Sequence, residues 1–494
     1  MKFDEHYFGI YKWGLPVLSA ILLIFSVAPI NAWPLVFFAM VPIFLFTYIT
    51  TKKCSIALGW ALFACIHAGY LTHATLSGFR WLPETALFNF LMQLGGFVAV
   101  LIVVAVFCAY GYMLGVLKKT THTTTSLVVV YSSAFLGYIF IESFFLWFYS
   151  GFNYGALFFS AQHVPYLIGL VDLGSPLFIS VAVLVSNIFF WVSVLACMRI
   201  VSFRAYAVYV FICFVCALVP VSIQDEFSNS EHGGVTSIAI IQEASHDIDY
   251  TFGYVESGVF SFPALEKHLL EVSQTQTEVV VYPFAPWSGV ISEEIDNSHF
   301  DREVITMSYD VFSVWLEKFV PKDVVFVAWY TSYSNGMYYN NIGFFKNGAL
   351  ISEYAKENLF PFFDYTPQWA LAAGIVSLPY DATAGVGNLP FKYSGLRIGS
   401  LVCSEVGNEN ATKNSAQDAN MLFSLGSETM FSHQIPGEYN ALRAQLSAER
   451  YNMPVVRANK FGPSVVYDGN GKQIGRLSYE ETGILYIDVD FYNQ

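Results

Sequence analysis

Charge is what this 494-residue sequence has least of: Asp, Glu, Lys and Arg make up 13% of it, against 55% hydrophobic residues. Soluble globular chains carry about a quarter charged residues, so a wholly soluble protein is excluded. Basic residues are scarcer than acidic ones, 24 against 38. An acidic balance of this kind argues against nucleic acid as a partner. Cysteine is almost missing from the second half. Six of the seven (Cys54, Cys65, Cys108, Cys197, Cys213, Cys216) lie in or beside long apolar runs of the first half, leaving Cys403 alone among polar sequence. No disulfide can therefore form within the second half. The ten histidines form no cluster with cysteine or carboxylate at ligand spacing, so neither a metal site nor a cofactor is expected. Internal repeats and low-complexity tracts are absent as well.

The charge that is present is unevenly spread. Residues 1–222 hold nine Lys+Arg and five Asp+Glu, and the remainder holds fifteen and thirty-three. The division predicts a helical membrane domain over 1–223, a polar linker over 224–234, and an acidic extracytoplasmic domain over 235–494. Apolar runs near 13–30, 34–50, 55–76, 89–117, 126–149, 168–198 and 205–223 are long enough to span a bilayer. That predicts seven spans, the first too closely followed by others to be a cleaved signal. Lys2 and Lys12, Lys52 and Lys53, Lys118 and Lys119, and Arg199 and Arg204 occupy alternate connections, whereas the others hold only Arg80. Basic connections stay cytoplasmic, which places the N-terminus in the cytoplasm and the acidic half outside. Glu142 lies within the fifth run. A carboxylate at membrane depth is expensive unless paired, so it is either a functional residue or one that orients a neighbouring loop.

The acidic half alternates short β-branched runs with amphipathic stretches. Strands are expected at 236–242, 278–282, 323–330, 339–346, 349–356, 397–403, 419–424, 454–458, 464–468 and 483–489, and helices at 262–274, 302–319 and 436–451. Asn347-Gly348 and Gly469-Asn470-Gly471 read as hairpin turns. The pattern is that of an α/β domain with helix-covered sheets. Within it, RIGSLVCSEVG (397–407) ends an apolar strand on the lone thiol Cys403, which is either a nucleophile or an inert buried cysteine.

The order of motifs bears on this choice. YAKENLFPFFD places Tyr354, Lys356, Leu359, Pro361 and Phe362 in register with Tyr-x-Lys-x-x-Leu-x-Pro-Phe-Gly-Glu. VCSE places Cys403 and Glu405 in register with Cys-Tyr-Glu. PVVRANKFGPSVVYDGNGKQIG (454–475) resembles the closing strands of the same family, and Glu142 with GFNY (151–154) resembles its membrane-domain motifs. The chain thus resembles the apolipoprotein N-acyltransferase family of the carbon-nitrogen hydrolase (nitrilase) superfamily. The resemblance implies a four-layer αββα domain behind the membrane helices, in a monomeric protein of the bacterial inner membrane. It further implies that Cys403 takes an acyl chain from phospholipid as a thioester and passes it to the amine of a lipoprotein's lipidated N-terminal cysteine, with the Lys356 ammonium stabilising the oxyanion.

Departures from the pattern are informative. Phe284 stands where the family has its general-base Glu, Phe363-Asp364 replace Gly-Glu, and Ser404 replaces an aromatic residue. Met430-Phe431 replace Trp-Phe, and the sequence, which stops at Asn493-Gln494 just past the last expected strand, shows no counterpart of the family's final membrane helix. Phe284 cannot accept a proton. If turnover survives, Asp364 or Glu405 substitutes as base, or the thiol ionises beside Lys356; the alternative for both carboxylates is a structural hydrogen-bonding role. The aromatic stretch Tyr282–Trp287, with Phe284 and Trp287, and the segment 361–379 suggest an apolar substrate or a headgroup-layer contact. Two other readings stand beside acyl transfer: a degenerate protein that binds lipid, lipoprotein or a partner without turnover, and a membrane-anchored amidase using water.

Overall fold

The computed structural model describes residues 11–27, 30–76, 86–120, 128, 131–132, 134–135, 137–143, 157–161, 165–168, 170–171, 176–201, 206–207, 231–244, 263–283, 290–291, 306–361, 363–372, 374, 381–387, 389–428 and 433–493. They fall into two compact units, one of N-terminal helices and one of two β-sheets.

In the helical unit, three described helices are long and apolar enough to cross a membrane: Lys53–Ala74, Gln93–Thr120 and Leu177–Cys197. Helices Gly14–Ser26 and Val41–Ile49 are shorter. The second apolar run does not form the single span expected over 34–50. It begins as a 3-10 turn, Trp33–Phe37, and resumes as helix at Val41. Pro34 and Pro42 each remove a backbone donor and disfavour helix in the residue before them. A broken apolar helix must find partners for its freed polar groups. The Asn187 side chain supplies two, accepting from Met40 N (2.8 Å) and donating to Val36 O (2.7 Å). Ser19 Oγ accepts from Ile43 N at 2.9 Å. Phe44, stacked on Phe135 at 3.7 Å and edge-on to Trp191, fills the space beside the break. Most of the seventh run lies outside the described residues, as do Arg80 and GFNY (151–154).

The second unit contains an eight-stranded and a six-stranded sheet. In the first, β1 (Glu231–Gln242), β2 (Val279–Tyr282) and β5 (Val325–Ser334) run parallel, β3 (Val290–Ile291) and β4 (Thr306–Met307) extend beyond β5, and β14 (Gly483–Asn493) closes the β1 edge antiparallel. The strands β6 (Met337–Lys346) and β7 (Ala349–Ala355) fold back on β5 as a meander. In the second sheet, β9 (Leu396–Val402), β10 (Met421–Ser427) and β11 (Val455–Lys460) run parallel. They are flanked by β8 (Phe391–Tyr393) on one side and by β12 (Ser464–Tyr467) and β13 (Gln473–Leu477) on the other.

Alternation within the strands sorts the core. Ile238, Val279, Val281, Val325 and Val327 of one sheet share a buried cluster with Ile398, Val402, Phe423, Leu425 and Val456 of the other. The opposite side chains of the first sheet, such as Ala239, Val280 and Phe326, pack on helices Pro263–Val272 and Tyr309–Phe319. In the same way Leu422, Val455 and Val465 pack on Ala441, Ala444 and Ala448 of helix Ile435–Tyr451. The helix expected from 302 starts only at Tyr309. Ser308 caps it and Thr306–Met307 pair as strand β4 instead. Sequence periodicity overlooked β3, β8, β13 and helix Glu409–Ala416, the strands because each is at most five residues long.

Helix Glu409–Ala416 lies so close to β9 that a Cβ on Gly399 would come 1.8 Å from Ser415 O. The obstacle is backbone and cannot rotate away. Gly399→Ala is therefore expected to destabilise this domain by about 3 kcal/mol or more, read as a lower midpoint in chemical denaturation. A midpoint equal to wild type would show that the helix is not held against the strand.

Candidate active site

Cys403 follows the last residue of β9, at the carboxyl end of a parallel strand, where open α/β sheets place their reactive groups. Its φ is +52°, a left-handed conformation that costs energy for a residue with a side chain. The chain turns there from extended strand into the 3-10 turn Cys403–Gly407. Continued strand geometry, which would have put Glu405 on the same face as Cys403, is thus broken at the thiol itself. Glu405 instead folds back into the protein and is fully buried.

Every contact that holds Glu405 comes from a donor. Tyr354 Oη donates to both carboxylate oxygens (2.9 and 2.8 Å), Glu357 N and Asn358 N to Oε1 (3.0 and 2.9 Å), and Val402 N to Oε2 (2.8 Å). Burial raises its pKa, while Lys356 and these hydrogen bonds oppose the shift. The carboxylate ties the end of β7, which carries Tyr354, to the end of β9, which carries the thiol.

Lys356 comes next after β7 and is buried. Its backbone N–H donates to Asn340 O (2.8 Å), and its carbonyl accepts from Gly385 N (2.9 Å). Its ammonium donates to Asp364 Oδ2 at 2.6 Å. Asp364 also accepts from Asn340 Nδ2 (2.7 Å) and Phe360 N (2.6 Å). Burial alone would lower the Lys356 pKa, but Asp364, Cys403 and Glu405 together raise it, so the ammonium stays charged.

Cys403 and Lys356 do meet in one electrostatic environment. Burial pushes the thiol up to about 11, with Lys356 and Arg457 opposing, and Glu428 and Asp364 reinforcing the rise. Desolvation therefore outweighs the lysine, and burial disfavours the thiolate.

Two charges here were missed by sequence reading. Glu428, just past β10, accepts at Oε1 from Arg457 Nη2 (2.6 Å), Asn440 Nδ2 (3.0 Å) and Asn459 Nδ2 (3.0 Å). Arg457, wholly buried in β11, also donates to Ser424 Oγ at 3.2 Å. The available signal was an arginine inside the apolar run PVVRA and a glutamate directly after LFSLGS.

Phe284 and Trp287 lie outside the described residues, as does the Met430-Phe431 pair. Glu142 belongs to the helical unit, where it is buried and accepts from Leu157 N (2.5 Å) and Ser180 Oγ (2.8 Å). It ties the turn Leu157–Ala161 to helix Leu177–Cys197. Among the described residues no cluster of three or more His, Cys, Asp or Glu is arranged to hold a metal.

Residues 267–493 match the family model for carbon-nitrogen hydrolases. An apolipoprotein N-acyltransferase of Rhizobium etli (strain CIAT 652) is 29% identical over 161 residues, 31% of this chain and 30% of that one. Another, from Verminephrobacter eiseniae (strain EF01-2), is 26% identical over 145 residues, 28% of this chain and 27% of its own. The alignments thus span under a third of these curated relatives. Among solved structures, a carbon-nitrogen hydrolase from Helicobacter pylori G27 aligns with 52% of this chain and 90% of its own, at 18% identity and a TM-score of 0.38.

Proposed function

For a divergent member of the carbon-nitrogen hydrolase superfamily whose hydrolase-type domain follows a set of apolar helices, we propose acyl transfer at a membrane surface through a Cys403 thioester. One observation carries this reading: a buried ammonium, Lys356, is fixed by Asp364 within electrostatic reach of a thiol on a strained turn. A cation so held can stabilise the oxyanion formed when sulfur attacks a carbonyl. With one carboxylate oxygen taken by Asn340 and the other by Lys356 and Phe360 N, Asp364 is better suited to hold the lysine than to accept a proton.

An apolar acyl donor is supported by exposed Trp369, Leu371, Val386 and Leu389 in the segments between Lys356 and β9. Such side chains enter a headgroup layer readily, so phospholipid is the donor of choice and a lipoprotein's N-terminal amine the acceptor. A domain on the extracytoplasmic face agrees with the alternation of basic connections in the sequence.

The test is intact mass measurement of the full chain, purified in mixed micelles with phospholipid. The expected result is one acyl mass on Cys403, absent from Cys403→Ala and removed by a lipopeptide amine. Removal by water at the same rate would make the protein a hydrolase. No adduct at any pH would leave the non-catalytic binding reading, which Phe284 favours.

A further inference from the structure

The buried thiol needs a proton acceptor, and the position expected to provide one, 284, holds phenylalanine. Three carboxylates surround Cys403 electrostatically or in the chain: Asp364, Glu405 and Glu428. Both oxygens of Asp364 accept from donors, and so do both oxygens of Glu405. A proton placed on either would face an existing N–H, O–H or ammonium.

Glu428 differs. Its Oε1 is saturated by Arg457, Asn440 and Asn459. Its Oε2 has no hydrogen bond among the described residues and is not among the wholly buried orphan atoms.

Strand register brings Glu428 to the thiol. Leu425 pairs with Val402, so Gly426 lies level with Cys403, one strand over. A Cβ on Gly426 would stand 3.7 Å from Cys403 Cα and 3.5 Å from Arg457 Nη2. Gly426 therefore lies within van der Waals range of both the turn at Cys403 and the Arg457 guanidinium. Glu428 follows the last residue of β10, and its N–H still donates to Lys460 O at 3.0 Å, carrying the ladder to β11 one residue further. Arg457 pairs with Ser424 in β11 and reaches to Glu428.

We propose that Glu428, clamped at one oxygen by Arg457, is the general base that takes the Cys403 proton. The inference rests on the acyl-transfer reading. As Sγ bonds to the ester carbonyl carbon, its proton passes to Glu428 Oε2, and the oxyanion forms beside Lys356. Collapse breaks the ester C–O bond, and Glu428 returns the proton to the departing lysophospholipid alkoxide, leaving a thioester. The acceptor amine then attacks that thioester, gives a proton to Glu428 and forms the amide. The departing thiolate takes the proton back.

The groups that set the pH response at the thiol are Lys356 after β7, Asp364 in the following loop, Glu405 in the 3-10 turn, Glu428 after β10 and Arg457 on β11. A general base that is already ionised would keep wild-type adduct formation from phospholipid flat between pH 6 and 9. Without a base the rate would climb tenfold per pH unit toward the thiol's value of about 11. Glu428→Gln keeps the shape of the side chain and is expected to lower the adduct rate about a hundredfold to ten-thousandfold and to restore that climb. Alkylation of Cys403 by iodoacetamide needs no base. It should quicken in Glu428→Gln, because removing a negative charge lowers the thiol pKa. Glu428→Asp, which keeps a carboxylate, should retain part of the acylation rate.

Opposite movement of alkylation and acylation supports the proposal, since a merely structural role would depress both. Wild-type adduct formation by Glu428→Gln, or a parallel fall in the two reactions, overturns it while leaving acyl transfer standing. If Glu428→Gln fails to fold, a wild-type rate climbing tenfold per unit from pH 6 to 9 overturns it, and a flat rate with partial activity in Glu428→Asp supports it. Absence of any adduct on the wild-type protein sinks both readings together.

Discussion

Lys356→Met is expected to form the Cys403 acyl adduct about a hundred to a thousand times more slowly than wild type, the loss typical of removing one oxyanion donor. Two effects act in the same direction. The ammonium no longer meets the developing oxyanion, and the thiol, already raised by burial, loses the largest charge that lowers its pKa. Methionine preserves most of the buried volume, but Asp364 is left as an uncompensated buried carboxylate. The double variant Lys356→Met/Asp364→Asn separates these effects. It should recover the stability lost by the single variant and none of its rate. Rates come from intact mass spectra and stability from thermal melting of the same samples. A single variant acylating as fast as wild type would remove Lys356 from the chemistry.

Much of this domain was legible because its parallel strands are buried on both faces and read as continuous β-branched runs. VVVY, VFVAWY and PVVRA needed no alternation to be recognised. Cys403, Lys356, Asp364 and Glu405 stood out because motif spacing singled them out, and they do gather around the ends of β7 and β9. Their roles were less legible. Glu405 was placed by strand period, but the chain leaves strand geometry at Cys403, and a positive φ on a cysteine has no local signature. Glu428 and Arg457 were passed over because a charge in an apolar strand declares its partner only once the register of β10 against β11 is known. In the helical unit, hydropathy located apolar runs without reporting how each folds. The prolines at 34 and 42 were visible, whereas the Asn187 clamp that makes their break tolerable comes from about 150 residues away in the chain.

The roles of frame and chemistry can be separated at Glu405. Glu405→Ala removes the common acceptor of Tyr354 Oη and Val402 N, which are buried, and of Glu357 N and Asn358 N, which are partly so. A buried donor left unpaired costs about 1–3 kcal/mol. Relaxation around the cavity recovers part of that, and a net loss of about 3–5 kcal/mol is expected, as for other broken buried networks. In a domain of this size each kcal/mol moves the melting temperature by about 2–4 °C, so the C-terminal transition should fall by about 10 °C or more in calorimetry. Adduct formation should fall as well, because the loop after Lys356 and the turn bearing Cys403 lose their shared anchor. The two losses are expected together, with the acylation pH profile keeping its wild-type shape. Were Glu405→Ala to melt within a degree or two of wild type yet form no adduct, Glu405 would belong to the reaction itself, and the carboxylate that takes the thiol proton would have to be sought there rather than at Glu428.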